Sequence, residues 1–248
     1  MNFKVKQLLT LNLIKMLDLF GKAILDYQIK NKSENLITET SISEADEMDI
    51  SYLFRTYNEM PKIEQLALDL TKGKTLDVGC GAGSHSLFLQ NERKIIVKAI
   101  DISENAIKTC KLRGLEQALC QDVLTINSEK FDTILLLMNG TGIFKKKEMS
   151  IDYLIHLKKL LAENGQILID SSDIKYMYTK TKLKKMTKEN KYYGEIEFTI
   201  TYKNKTGIPF PWLYLDCNTF KKLSEKVGFK FEVVQKGTHF DYLAKLSI

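Results

Sequence analysis

The amino-acid sequence predicts an α/β fold in which a parallel β-sheet is covered by helices on both faces. Along residues 61–170, short apolar segments alternate with segments whose apolar residues recur at helical spacing, and this alternation is typical of parallel sheets. The predicted strands are almost continuously apolar, as expected of strands buried on both faces. With 248 residues, of which 44% are hydrophobic and 27% charged, the chain can bury one large core or two small ones.

Composition excludes several classes of protein. The chain has no uninterrupted apolar run of about 18 residues, so no membrane span is predicted. Its four cysteines form no C-x-x-C pair and it has three histidines, so neither a disulfide framework nor a metal site is expected. Asn12, Lys15 and Asp18 interrupt an N-terminal apolar stretch, which favours an amphipathic helix around residues 9–20 over a signal peptide. We therefore expect a cytoplasmic protein.

The N-terminal quarter is predicted to be helical. Ser43 and Asp46 have the spacing of a capping box, which predicts a helix running toward residue 60. Pro61 suits the first position of the next helix, whose apolar residues recur at i, i+3, i+4 and i+7. Residues 1–60 are accordingly predicted to form a helical extension, or lid, and residues 61–248 the main domain.

The main domain begins with five strands separated by helices. The strands are expected at 75–78, 94–100, 118–121, 131–138 and 166–170, and the intervening helices at about 84–91, 103–112 and 150–162. Ser103 is the predicted cap of the second of these helices.

An insertion over 172–215 interrupts this rhythm. Residues 172–191 show no clear period, whereas 195–202 alternate strictly between apolar and polar residues and predict a half-exposed antiparallel strand. A turn follows, and the returning segment contains Pro209 and Pro211, which indicate an edge position. The insertion is thus predicted to contain a β-hairpin. A helix from Asn218 and strands at 229–235 and 241–248 complete the chain.

A glycine-rich loop follows the first strand of the main domain. Its glycines, Gly79, Gly81 and Gly83, form the pattern G-x-G-x-G and precede a helix, so the backbone can turn tightly and approach a ligand. Ser84 stands where the dinucleotide pattern G-x-G-x-x-G requires glycine. Cys80 occupies a position between the glycines where a small side chain fits.

Three acids lie at the ends of successive strands. Asp77 suits a cationic ammonium group, Asp101 can accept the two hydroxyls of a ribose, and Asp122 can accept an adenine amino group. Because the carboxyl ends of parallel strands meet at one edge, these acids are expected to share one ligand slot. A ligand with a ribose, an adenine, an ammonium and no phosphate matches S-adenosyl-L-methionine.

These motifs resemble the class I S-adenosylmethionine-dependent methyltransferases over about residues 60–171. The resemblance rests on the glycine loop, on the segments around Asp101 and Asp122, and on 131–139 and 157–169. It implies a Rossmann-like, seven-stranded, mostly parallel sheet whose last strand is antiparallel, with the insertion lying over the substrate mouth.

The resemblance also implies which residues bind the cofactor, whose product is S-adenosyl-L-homocysteine. The expected set is Asp77, Gly79, Cys80, Gly81, Gly83, Asp101, Ile102, Asp122, Val123, Met138 and Asn139. Asp77 and the loop backbone are expected to hold the methionine end, and Ile102 to stack on the adenine.

Motifs that are missing from the loop at 138–144 and from the rest of the sequence narrow the range of possible methyl acceptors. It contains no Pro-Pro motif of amino-nitrogen nucleic-acid methylases, the Pro-Cys dipeptide of cytosine methylases is missing, and Asn139 replaces the acid of metal-assisted catechol methylases. A small-molecule acceptor, methylated by direct displacement, is therefore predicted. Two alternatives stay open: an RNA or protein methyltransferase that uses the basic segment 180–191, and a cofactor-binding module without catalysis.

The charge balance favours the small molecule. The net charge of +6 is only mildly basic, and a lysine run is more often a solvated surface than a nucleic-acid site. Candidate acceptor-binding residues are Tyr52, Arg55, Tyr178, Trp212 and Tyr214, and candidate catalytic residues are His85, Tyr57 and Asn139.

Overall fold

The computed structural model describes residues 18–32 and 34–248. Most of the predicted amphipathic helix around residues 9–20 lies outside them. The helices and strands follow in the order α1 (Leu19–Lys30), β1 (Leu36–Thr40), β2 (Ser43–Met48), α2 (Lys62–Leu70), β3 (Thr75–Val78), α3 (Ser84–Asn91), β4 (Val97–Asp101), α4 (Glu104–Leu112), β5 (Ala118–Cys120), β6 (Phe131–Leu136), α5 (Ser150–Leu160), β7 (Leu161–Ser172), α6 (Lys180–Lys188), β8 (Glu195–Tyr202), β9 (Lys205–Thr206), β10 (Phe210–Leu213), α7 (Cys217–Lys226), β11 (Lys230–Lys236) and β12 (Asp241–Ser247).

The main sheet has seven strands in the order β11-β12-β7-β6-β3-β4-β5. Strands β3 to β7 run parallel to one another, and β12 is antiparallel to both of its neighbours. The predicted fold class, with its reversed last strand, is confirmed. The register pairs Asp77 with Ala99 and Asp101 with Cys120, so the strand-end acids lie at one edge.

Helices cover both faces of this sheet because its strands alternate their side chains between two cores. In β6, Ile134 and Leu136 pack with residues of α5 and α7, whereas Leu135 packs with residues of α2 and α3. This is the arrangement that near-continuous apolar strands predicted. Among residues 18–32 and 34–248, no helix has the length and apolarity needed to cross a membrane.

A second sheet joins the N-terminal extension to the insertion. Its strand order is β10-β8-β1-β2, with β9 paired to β8. The predicted hairpin of the insertion is present, and β10, which contains Pro211, lies at the edge as expected. The sequence did not predict that β1, from the extension, would pair with β8. We call these five strands the cover sheet.

The helix predicted from Ser43 toward residue 60 is wrong. Residues 43–48 form β2, and only two short 3₁₀ turns follow, at Ile50–Phe54 and Tyr57–Glu59. The Ser43 hydroxyl lies 2.7 Å from the Thr40 hydroxyl, and Thr40 Oγ1 also accepts the Ser43 N–H. Ser43 therefore closes a hairpin turn instead of capping a helix.

Several other boundaries differ from prediction: β4 begins at Val97 instead of residue 94, and β7 begins at Leu161 instead of residue 166. The lysine-rich segment without clear period contains α6, capped by Thr179, and α7 is capped by Asp216 instead of Asn218. The prediction for Ser103 is confirmed, since its hydroxyl accepts the Ala106 N–H at the start of α4.

Candidate functional site

The glycine loop connects β3 to α3 through three residues with positive φ. Gly79, Gly81 and Gly83 have φ of 76°, 53° and 82°. A Cβ added at Gly83 would lie 2.9 Å from the Cys110 sulfur, so this glycine is required by packing. At Gly81 the same Cβ would meet nothing within 4 Å. The loop therefore presents open space on its Gly81 side, where a ligand can approach the backbone.

Asp77 lies beneath the loop and is almost fully buried. It accepts a hydrogen bond from the Ser86 hydroxyl at 2.6 Å. Burial raises the pKa of Asp77, and the nearby His85 and the Ser86 hydrogen bond only partly oppose that rise. A cationic partner would relieve the cost of burying this carboxylate.

Asp101 connects the end of β4 to the glycine loop. Its carboxylate accepts the N–H of Gly81 at 3.0 Å and that of Ser103 at 2.9 Å. Burial raises the pKa of Asp101, while these two hydrogen bonds act in the opposite direction. A carboxylate has about four lone-pair sites, so the Asp101 side chain retains capacity for further donors.

Beyond Asp101, the predicted adenine-binding residues differ in exposure. Ile102 is 60% exposed, an unusual position for a large apolar side chain beside a buried acid. Asp122 accepts the Leu124 N–H at 2.9 Å and caps a short turn. Val123 is buried in the core, where its side chain packs against other apolar residues.

Cys80, in the glycine loop, is also buried and lies 3.8 Å from the Cys110 sulfur. The Cys110 thiol and burial both raise the pKa of Cys80.

The loop after β6 is strained. Met138 and Asn139 both have positive φ, 65° and 62°, which costs of order 1–3 kcal/mol for each non-glycine residue and is common at functional sites. Asp170 holds this conformation, because its carboxylate accepts the N–H groups of Asn139 and Gly140, both at 2.9 Å. The Asn139 Oδ1 is buried and has no hydrogen-bond partner among the described residues.

A cavity of about 510 Å³ lies next to this strained loop. Met138 and Asp170 contribute to its wall, and residues of both hairpins of the cover sheet enclose it. The polar residues that line it are three tyrosines, three acids, one histidine and three smaller hydroxyl residues: Tyr52, Tyr176, Tyr214, Glu64, Asp170, Asp241, His239, Thr40, Ser43 and Ser172.

Comparison with known proteins identifies the family. The family model described as "Methyltransferase domain" matches residues 70–228. A crystal structure of an S-adenosylmethionine-dependent methyltransferase from Bacteroides fragilis, in complex with S-adenosyl-L-homocysteine, is 38% identical, with a TM-score of 0.84. The match covers 93% of this chain and 94% of that one. The chain belongs to the S-adenosylmethionine-dependent methyltransferases.

More distant methyltransferases share the fold alone. The CcbJ methyltransferase from Streptomyces caelestis is 9% identical with a TM-score of 0.60, and the match covers 92% of this chain and 97% of that one. CalS10, an amino pentose methyltransferase from Micromonospora echinaspora, is 10% identical with a TM-score of 0.52, over 79% and 93% of the two chains. No curated protein matches the sequence.

The residues present fit the family's cofactor. The open space at Gly81, the buried Asp77 carboxylate and the unpartnered Asn139 Oδ1 are features that a ligand with a cationic amino-acid end can satisfy. Among the described residues, no group of acids, histidines and cysteines has a metal-binding arrangement.

In this methyltransferase, a buried charge cluster connects the extension to the main domain. Arg55 bonds both carboxylate oxygens of Glu64, and His85 Nε2 lies 2.5 Å from Glu64 Oε2. Burial alone would raise the pKa of Glu64, but His85 and Arg55 together outweigh it and hold that pKa below its ordinary value. The Arg55 guanidinium also stacks over the Tyr52 ring at 3.9 Å. The two Nη atoms of Arg55 are thus bonded within the protein, whereas its buried Nε has no hydrogen-bond partner among the described residues.

The remaining predicted residues divide between the cavity and the packing around it. Tyr52 and Tyr214 line the cavity. Tyr178 donates to the Tyr193 carbonyl, and Trp212 packs in the same cluster, directly against Gly142. Tyr57 donates to Asp69, 2.9 Å away, and does not line the cavity.

Glu64, His239 and Asp241 line the cavity but were not found from the sequence. Glu64 lies on a helix with an otherwise ordinary amphipathic pattern, which gave no signal of a buried acid. A signal did exist for Asp241, because a reversed last strand beside β7 must begin at the edge where β7 ends. The register indeed pairs Asp241 with Ser172.

Proposed function

We propose that this methyltransferase transfers the methyl group of S-adenosyl-L-methionine to a small molecule that occupies the 510 Å³ cavity. The supporting observation is the position of that cavity, which is bounded by Met138 and Asp170 at the sheet edge where the cofactor-binding residues are predicted. When bound, the cofactor supplies an electrophilic methyl group on a sulfonium.

The strand-end acids are proposed to bind this cofactor. Asp77 and the backbone of the glycine loop hold its methionine end, and Asp101 accepts the ribose hydroxyls. Asp122 accepts the adenine amino group, and Ile102 covers the adenine face, which gives a role to its exposed side chain. Each of these groups binds and orients, and none takes part in bond making.

The cover sheet and the strained loop are proposed to position the acceptor. Thr40, Ile42 and Ser43 of the first hairpin, and Ile196 of the second, enclose the cavity. Enclosure excludes water and fixes the acceptor beside the loop that begins at Met138. Orientation of this kind can supply about 7–11 kcal/mol in favourable cases, so methyl transfer does not require a strong base.

The position of the basic helix favours a small molecule over RNA as the methyl acceptor. Helix α6 carries the predicted lysine run, and Lys184 and Lys188 border a separate groove of about 370 Å³. No lysine or arginine is among the residues that line the 510 Å³ cavity. A polyanionic acceptor would need such cations near the reacting group.

One labelling experiment tests the proposed function. The enzyme is incubated with methyl-labelled cofactor and a cell extract separated into small-molecule, RNA and protein fractions. We expect label in the small-molecule fraction. Label confined to RNA or protein would contradict the proposal, and binding of S-adenosyl-L-homocysteine without label in any fraction would indicate a module without catalysis.

The Asp101→Ala variant tests the cofactor site. Loss of an acceptor for a ribose hydroxyl is expected to weaken cofactor binding by about 1–3 kcal/mol, measured by calorimetry with S-adenosyl-L-homocysteine. Asp69→Ala is the matched control, because Asp69 is an exposed acid that bonds Tyr57 outside the cavity. Equal affinities of the two variants would remove Asp101 from the site.

A further inference from the structure

The charges that line the acceptor cavity are opposite in sign to the charge of the whole chain. The chain carries a net charge of +6, yet the cavity is lined by Glu64, Asp170 and Asp241 and by no lysine or arginine. Burying carboxylates around a cavity is costly unless positive charge compensates them. A cation in this cavity would supply that compensation.

The three carboxylates are not equivalent. Arg55 already neutralises Glu64, which is held on both oxygens. Asp241 accepts the His239 N–H at 2.9 Å. Asp170 is buried, and its carboxylate accepts hydrogen bonds from two neutral backbone N–H groups, those of Asn139 and Gly140. Of about four lone-pair sites on a carboxylate, those two bonds use half. Asp170 is therefore the acid best able to bind a cation.

Two aromatic residues, Tyr176 and Tyr214, line the same cavity as Asp170. Burial raises the pKa of Tyr214 to about 12, and the charges of Tyr176 and Asp170 add to that rise. Tyr176 is held by stacking on Phe240, with 4.8 Å between ring centroids. Tyrosine rings beside a carboxylate form the surroundings in which proteins bind ammonium groups.

We propose that the methyl acceptor is an amine, that its nitrogen lies against Asp170 between Tyr176 and Tyr214, and that this nitrogen receives the methyl group. The inference rests on the proposed small-molecule function and narrows it to one class of substrate. An acceptor bearing a carboxylate or phosphate in the same place would be repelled by the acidic lining.

The chemistry of transfer to nitrogen explains the position of the carboxylate. An amine that arrives as an ammonium loses one proton to solvent before the cavity encloses it. The nitrogen lone pair then forms the N–C bond while the C–S bond breaks, and the electron pair of that bond remains on sulfur. The positive charge thus moves from sulfur to nitrogen, and the product is a protonated methylamine. A fixed carboxylate beside the nitrogen stabilises this charge as it develops, which lowers the barrier.

Asp170 is fixed by the same backbone that forms the strained loop. Its oxygens bond the N–H groups of Asn139 and Gly140, immediately after Met138, which lines the cavity. The strain in the loop therefore has a role, since it aligns two N–H groups on one carboxylate. Burial raises the pKa of Asp170 to about 6, and these two hydrogen bonds only partly oppose that rise. The carboxylate is therefore mostly ionised at neutral pH, and its two bonds hold it in a fixed position, as electrostatic preorganisation requires.

Blocking the amines of the extract tests the proposal. The small-molecule fraction is divided, and one half is treated with an amine-selective acetylating reagent before incubation with methyl-labelled cofactor. We expect label in the untreated half and at least a tenfold lower incorporation in the acetylated half. Equal incorporation in the two halves would overturn the amine assignment while leaving small-molecule methylation intact. No label in either half would overturn the proposed function and, with it, this inference.

Two variants of one residue test the aromatic contact. Tyr176→Leu removes the ring, whereas Tyr176→Phe keeps the ring face and removes only the hydroxyl. We expect Tyr176→Leu to raise the half-saturating concentration of extract about fivefold, and Tyr176→Phe to raise it much less. Melting temperature and affinity for S-adenosyl-L-homocysteine serve as controls for folding, because Tyr176 is 60% exposed. Equal effects of the two variants would show that the ring face does not bind the acceptor.

Discussion

At the scale of single residues, acids that we propose to bind ligands also hold the backbone of the site. Asp101 bonds the Gly81 N–H across the slot, and Asp170 bonds the Asn139 N–H beside the cavity. The sequence predicted the strand-end acids, because parallel topology brings strand ends to one edge. It could not predict the Glu64 cluster, whose partners Arg55 and His85 lie 9 and 21 residues away on other elements.

The glycine loop allows a prediction with an internal control. Gly81 and Gly114 both have positive φ, 53° and 89°, and at both a Cβ would meet nothing within 4 Å. Alanine at either position is expected to cost about 1–2 kcal/mol of stability through its left-handed conformation. Gly81→Ala alone places a methyl group on the ligand side of the loop, so we expect it to weaken binding of S-adenosyl-L-homocysteine at least tenfold, as measured by calorimetry. If both variants bind equally well, Gly81 does not face the cofactor.

At the scale of elements, the cover sheet is the largest departure from prediction. The alternation of β8 was recognised, whereas β2 has the sequence Ser-Glu-Ala-Asp-Glu-Met, which contains no alternating apolar residues. Acid-rich strands of this kind are stabilised by their neighbours and carry little signal of their own. The pairing of β1 with β8 joins segments about 160 residues apart, as in Thr38 with Ile200, and no local pattern encodes it.

The cover sheet is expected to unfold as a unit of its own. Leu36 is fully buried among Leu19, Ile50 and Tyr202, whereas its neighbour Ile37 is 38% exposed. Leu36→Ala should cost about 2–5 kcal/mol and should speed amide hydrogen exchange in β1, β2 and β8, with little change in β3 to β7. Ile37→Ala, measured in parallel by mass spectrometry, should leave exchange near that of the wild type. Faster exchange throughout the main sheet in Leu36→Ala would show that the two sheets unfold together.

At the scale of the whole molecule, the distribution of charged residues says more about the cavity than the net charge of the chain does. The mildly basic chain separates a lysine-rich helix, α6, from a cavity with an acidic lining. The sequence located the lysine run, whereas Asp241 was missed although the expected reversal of the last strand would bring it to the edge where β7 ends, beside Ser172. The net charge of +6 is therefore a property of the surface and does not describe the acceptor site.

Separation of the two surfaces predicts how salt affects methyl transfer. Lys184 and Lys188 border the groove on α6 and do not line the acceptor cavity. The double variant Lys184→Gln, Lys188→Gln should therefore methylate the small-molecule fraction at the wild-type rate. When salt is raised from 50 to 200 mM, a nucleic acid held by the lysines of α6 would bind about a hundredfold more weakly. For a small acceptor in an enclosed cavity, we expect the half-saturating concentration to change by less than about threefold. The reason is that enclosed charges are screened by salt less than exposed charges are. Initial rates measured with methyl-labelled cofactor at several extract concentrations and at both salt concentrations check this. A steep loss with salt that the double variant reduces would assign the acceptor to the basic helix and contradict the cavity as its site.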